Sequence, residues 1–109
     1  MRGQLIHNAI IQTQTEYKSE TGIVRQIWSN KALDVICRIE PASREMIDAY
    51  GRLGIRITHQ IFLDTEQSLT IKDRFVFNGE GLEVRNVVPV YARATTPYHW
   101  EVIAERNPL

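Results

Sequence analysis

A single cysteine, Cys37, stands in a chain of 109 residues, so no internal disulfide can form. The core must hold by packing alone, which suits a reducing compartment or a secreted protein that needs no bridges. No apolar run approaches the ~18 residues of a membrane span. The first eight residues carry one charge and no apolar stretch, so a secretory leader is not expected. Net charge is also lacking: Lys+Arg and Asp+Glu balance at 13 each. Without a net field, sequence-independent DNA binding and attraction to an anionic membrane are disfavoured, while close packing of identical copies is allowed. Low-complexity tracts, linkers and internal repeats are missing, so the chain reads as one domain, 1–109.

Catalytic and metal signatures are equally scarce. His7, His59 and His99 are scattered without ligand spacing, and zinc needs three or four convergent groups. His59 reads as a histidine on an apolar strand face, bonded to a neighbour, and His99 as a surface residue. Cys37 falls in the apolar series Leu33, Val35, Ile39 and reads as a small hydrophobe. Asp34 with Glu40 and Asp73 with Glu83 are carboxylate pairs only by arithmetic; both fall on polar faces or turns, where solvation or ion pairing is expected. No glycine loop cradles a phosphate, so no cofactor is expected and the chain does not read as an enzyme. Trp28, Phe62, Phe75, Phe77, Tyr98 and Trp100, with Arg74 and Arg85, could stack nucleobases. The neutral overall charge favours core packing or subunit contact for them.

What is present is alternation. Residues 71–88 hold two alternating runs around Asn78-Gly79-Glu80-Gly81, and glycine supplies the positive φ a tight hairpin needs. Further strands are expected at 5–13, 22–28, 32–40, 54–63 and 98–104. Leu33, Val35, Cys37 and Ile39 share one face of the third. Residues 14–21 read as an exposed polar loop, 29–31 as a turn and 91–97 as a loop. Pro41 lacks an N–H and ends a ladder. Residues 42–53 change period: Ser43 can cap a short helix, Met46, Ile47 and Tyr50 form its stripe, and Gly51 ends it. The sum is a mainly β chain of about seven strands: a small antiparallel barrel with a helix or long loop, 41–54, inserted between strands.

The order of landmarks resembles a known family. A tryptophan (Trp28) follows a polar loop. A strand ends in Ile39-Glu40-Pro41, with Ser43-Arg44-Glu45 after it. Next come Ile55-Arg56-Ile57-Thr58-His59 and the hairpin lead-in Lys72-Asp73-Arg74. Asn78-Gly79, Leu82-Glu83-Val84, a valine-rich stretch and a strand ending near Glu105 complete the series. This is similar to the head–tail joining, or head-closure (stopper), proteins of tailed bacteriophages, over roughly residues 5–105. The loop after Val90 departs from the pattern, with Tyr91, Arg93, Pro97 and Tyr98 where a shorter glycine- and aspartate-rich turn is expected.

The resemblance implies a virion protein at the head–tail junction, assembled in the host cytoplasm. It implies a homo-oligomeric ring with a portal-bound adaptor above and a tail-terminator or tail protein below. Packaged double-stranded DNA would pass through the lumen without sequence-specific contacts. It implies no catalytic residue, metal, cofactor or membrane. The channel-facing or inter-subunit segment would hold Ser43, Arg44, Glu45, Met46, Ile47, Tyr50 and Arg52, and loop contacts would come from Tyr17, Lys18, Tyr91, Arg93 and Tyr98. The alternatives are another neck or tail part of the same plan and, from a different class, a single-strand nucleic-acid-binding barrel.

Overall fold

The computed structural model describes residues 7–65, 67–90 and 99–108. Six strands and one helix follow in order: β1 (His7–Lys18), β2 (Val24–Pro41), α1 (Arg44–Arg52), β3 (His59–Leu63), β4 (Asp73–Phe77), β5 (Glu80–Val90) and β6 (His99–Pro108). All neighbours are antiparallel, and the order β1-β2-β3-β6-β5-β4 closes on itself because β4 pairs β1. The expected antiparallel barrel with one inserted helix is what forms.

The alternating residues set its interior. Ala9 and Ile11 of β1, Val35 and Cys37 of β2, Ile61 and Leu63 of β3, Phe75 of β4, Leu82 and Val84 of β5, and Val102 and Ala104 of β6 make one buried cluster. Full burial of side chains such as Phe75 or Ile61 contributes ~1.5–3 kcal/mol each. The opening hairpin forms as read. Phe77 pairs Glu80, and Asn78 and Gly79 lie between them at φ 53° and 75°. Positive φ at both central residues is the two-residue turn whose twist matches that of the strands.

Six strands replace the expected seven, because the two segments at 22–28 and 32–40 are one strand of 18 residues. Residues 29–31 do not turn; they lie inside the β1–β2 ladder, where Gln12 faces Asn30 and Thr13 faces Ser29. Two bulges mark the place. Ala9 faces Val35 and Ile11 faces Ala32, so Ile10 stands against both Leu33 and Asp34; Lys31 is then the extra residue before Asn30. Asp34 carries the strain at φ 53°. An extra residue reverses which face the side chains take. Leu33, expected in the core, is therefore 62% exposed, and Ala32 packs against the core in its place.

Residues 14–21 also differ from the loop expected of them. β1 continues to Lys18, paired residue by residue with β2 from Thr15↔Ile27 to Lys18↔Val24. The closed barrel has already ended, since β4 accompanies β1 only from Ile10 to Thr13. A two-stranded arm therefore projects beyond the barrel, and the molecule measures 53 × 32 × 29 Å.

At the arm's base, Asp73 is fully buried. Its Oδ2 accepts from Lys31 Nζ at 2.7 Å and from the Thr70 N–H at 3.0 Å. Lys31 Nζ also donates to the Ser68 carbonyl at 2.7 Å. The bulge that makes Lys31 an extra residue thus aims its ammonium at the one carboxylate among the buried side chains of the described residues. Asp73 is two residues before Phe75 and shares its inward face, so the expected polar face or turn is corrected, while the ion pairing expected as the alternative to solvation is met by Lys31.

Candidate functional site

Two features stand clear of the barrel, the arm and the inserted helix. In α1, Ser43 at the N-cap accepts from the Met46 N–H at 3.2 Å, as read from the sequence. The helix does not stop at Gly51. It runs to Arg52 with Leu53 as C-cap; the Gly54 N–H donates to the Gly51 carbonyl and the Ile55 N–H to the Tyr50 carbonyl, each at 3.0 Å. That double bond pattern needs a left-handed residue after the cap, and Gly54 supplies it at φ 77°. Glu45 in the first turn and Arg52 in the last complement the helix dipole.

No residue of α1 is buried. Met46 and Tyr50 are half-buried; Arg44, Glu45, Ile47 and Arg52 are exposed. The Tyr50 hydroxyl accepts from Asn86 Nδ2 at 3.0 Å, tying the helix to β5. The excursion is pinned at its base, where the Ala42 N–H donates to the Thr58 carbonyl at 3.0 Å. Thr58 in turn donates its own N–H to the Ala104 carbonyl at 2.9 Å, anchoring the segment on β6. Ile57 and Ile103 are buried outside the main core. Between the helix and residues 55–58 lies a shallow groove of about 560 Å³, lined by Ile47, Gly51, Gly54, Ile55, Ile57 and the backbone-bonded Thr58.

The arm ends in the turn 19–22, where the Gly22 N–H donates to the Ser19 carbonyl at 2.9 Å. Tyr17 and Lys18 sit near its tip, both exposed. Tyr17, Ile23, Val24 and Ile27 are each about half exposed or more, at 55%, 53%, 55% and 47%. Sequence reading named Tyr17 and Lys18 but missed Ile23, Val24 and Ile27 as an exposed apolar group. The signal available was their presence opposite a stretch, 14–18, with no apolar stripe of its own. Tyr91, Arg93 and Tyr98 lie outside the described residues.

The remaining candidates disperse. Cys37 is fully buried, and burial pushes its thiol up to about 12. His59 Nδ1 is 2.8 Å from Thr58 Oγ1, which accepts from the Arg106 N–H at 2.7 Å and so has its own proton to give. Burial lowers the His59 imidazole, with Glu80 opposing and Arg106 reinforcing. His7 Nδ1 accepts from the Ile39 N–H at 3.1 Å. His7, His59 and Glu80 share a hollow of about 220 Å³, yet no three ligating groups converge anywhere among the described residues. His99 is buried, not on the surface: the Phe62 ring lies 6.4 Å away and Glu101 Oε1 is 3.7 Å from its Nε2. Asp34 is exposed at its bulge, and Glu40 pairs with Arg38 at 3.1 Å. Glu83 takes Asn107 Nδ2 at 2.7 Å and does not meet Asp73.

Among the described residues the aromatic side chains form no common platform. Phe75 is core, Phe77 stands 4.9 Å from the His7 ring, and Trp28 is covered by the Arg74 guanidinium at 4.1 Å. Gln12 Oε1 holds Arg74 Nε there at 2.9 Å. A base seeking Trp28 would have to displace that cation.

Comparison with known proteins bears on the fold and on the family. The solution structure of protein SF1141 from Shigella flexneri 2a is similar, with a TM-score of 0.75 and 17% identity over 96% of this chain and 95% of that one. At that identity the likeness speaks for the fold. A search of curated proteins finds no match. The family model described as minor capsid protein matches residues 3–104, nearly the whole barrel with its arm and helix. The chain therefore belongs to the minor capsid protein family, whose name makes it a structural component of a viral particle.

Proposed function

We propose that this minor capsid protein is a ring-forming head-closure component of a tailed-phage neck, acting without bond-making chemistry. One observation carries the reading: a rigid closed barrel bears an arm with exposed apolar residues at one end and a loosely held helix at the other. A capsid subunit with such appendages is built for contacts that the isolated chain does not make. Copies of the chain would pack head-to-tail around a ring. A portal-bound adaptor would lie above and a tail-terminator or tail protein below, with double-stranded DNA in the lumen.

The segment 41–54 would narrow that lumen. Its charges balance, Arg44 and Arg52 against Glu45 and Asp48, so it would block DNA sterically without gripping it. Opening would be inexpensive. The helix gives up one side-chain bond to Asn86 and no fully buried residue, while the Ala42–Thr58 bond keeps its base in place.

Electron microscopy of the parent particle tests the placement. Density for this chain in a collar between portal and tail is expected; density only within the tail assigns it to another neck or tail tier. Deleting residues 42–53 tests the plug. Filled heads of that variant should lose their DNA, and normal retention would end the idea. A salt-dependent gel shift with single-stranded oligonucleotides would instead favour the nucleic-acid reading.

A further inference from the structure

The arm and the helix groove lie at opposite ends of β2. β1 leaves the barrel into the arm, and β2 returns along the full length of the barrel before delivering the chain past Pro41 to α1. The long axis is 53 Å, so no copy can fill its own groove with its own arm. Both surfaces are nevertheless apolar and uncovered. The arm offers Tyr17 and Ile27 on one face and Val24 on the other, with Ile23 at the tip; the groove offers Ile47 and Ile55, with Leu53 beside it at 73% exposure.

We infer that the arm of one copy seats in the α1 groove of the next. This rests on the reading above only in requiring many copies; it names the contact between them. The occupant is a second copy for three reasons. Donor and acceptor sit at opposite ends of one chain, which is the geometry of a head-to-tail interface. Charge permits the contact: the arm is balanced, Glu16 and Glu20 against Lys18 and Arg25, so the groove does not repel it and Arg56 there can meet either glutamate. The Arg56 side chain is 85% exposed and only 3.6 Å from Glu105, whose nearer partner is Arg85 at 2.6 Å. The size agrees as well. The groove of about 560 Å³ lies within the ~300–1,000 Å³ of pockets that enclose small molecules, room for a few aliphatic side chains.

Magnitude then sets the behaviour. Interfaces need ~20–30 residues a side to cover ~800 Å² per partner. An arm of about 15 residues supplies roughly 500 Å² per partner, or ~1,000 Å² in total, the lower bound for a specific contact. Each contact alone is weak. A closed ring, in which every copy both gives and receives an arm, holds because all the contacts act together.

Disulfide trapping tests this on the purified full-length chain, because Cys37 is buried and does not compete. Ile23→Cys and Leu53→Cys are placed singly and together, at exposed positions, and equilibrated at about 1 mM in a glutathione buffer. Mixing the two single variants is expected to give heterodimer about tenfold above either variant alone, and the double variant a ladder of covalent multimers, as a heterologous contact requires. Tyr17→Cys with Ile47→Cys serves as an independent pair, and circular dichroism checks that each variant is folded. Folded variants that give no cross-link with either pair overturn the inference. So does self-dimerisation of a single variant as efficient as the mixture, which would mean a two-fold contact. Microscopy of the particle is a separate result. A ladder from a protein absent from the neck leaves the contact standing and removes the placement, and neck density without a ladder does the reverse.

Discussion

Replacing Lys31 with methionine should be among the most damaging exposed-end substitutions in the chain. The variant keeps the aliphatic stem and removes the ammonium from Asp73 Oδ2. Asp73 is fully buried, its Oδ1 has no hydrogen-bond partner among the described residues, and after the change the Thr70 N–H is the one donor among them that still serves the carboxylate. Breaking a buried ion pair from one side costs ~3–5 kcal/mol, because the remaining charge is stranded. The Lys31 side chain is 30% exposed, so water can follow it in, and a loss of about 2–4 kcal/mol is expected. Unfolding entropy of ~2.1 cal/mol/K per residue over 109 residues is about 0.23 kcal/mol/K. The midpoint should therefore drop by roughly 9–17 °C. Asp73→Asn removes the charge, keeps an acceptor for Thr70 and leaves Lys31 its Ser68 carbonyl; it should cost less, about 1–2 kcal/mol. The decisive variant is the double one. If Lys31 matters because it neutralises Asp73, K31M/D73N should be little worse than D73N alone in urea titration. Two single losses that simply add would refute the reasoning.

Three further outcomes follow from geometry described above. Leu33→Lys should change stability by less than ~0.5 kcal/mol, because the bulge turns residue 33 outward, whereas Val35→Lys should prevent folding or cost more than ~4 kcal/mol; denaturant midpoints compare them. Gly54→Ala should destabilise the end of α1 by about 1 kcal/mol through its positive φ alone, since nothing lies within 4 Å of the added Cβ; amide exchange at Leu53–Ile55 should rise with little change in the global midpoint. Burial holds the folded His59 imidazole below its usual range, so the unfolded chain binds that proton more tightly. This contribution is complete above about pH 6.5 and declines as pH falls below it; His59→Gln should flatten the dependence of the midpoint between pH 7.5 and 5.

Legibility followed burial. Residues 71–88 could be read because each strand has one face in the core, and Asn78-Gly79 has few other uses. The helix could be read because a cap, a stripe and glycines coincide, though it runs to Arg52 and the glycine that stops it is Gly54, not Gly51, because Gly54 takes the left-handed conformation. The arm could not. Residues 14–18 are strand because they pair with 24–28, not because they bury anything, so they carry no alternation to detect. The bulges were hidden for another reason. Leu33-Asp34-Val35-Ile36-Cys37 alternates well enough to suggest an unbroken strand, and only the partner strand shows that Ile10 must face two residues. Asp73 was in phase with Phe75 all along; its polarity argued for solvent until Lys31 appeared beside it. At the candidate site the helix over Arg44–Arg52 was legible, and the exposure of the arm's isoleucines and valine was not.

The placement of the lone thiol has a further consequence. A virion component meets oxygen once its particle is outside the cell. A sulfur with no access to solvent, held as the neutral thiol by a pKa of about 12, offers neither the nucleophile nor the approach that oxidants need. This chain can thus meet air without a covalent link forming through Cys37, and without any enzyme to keep that site reduced.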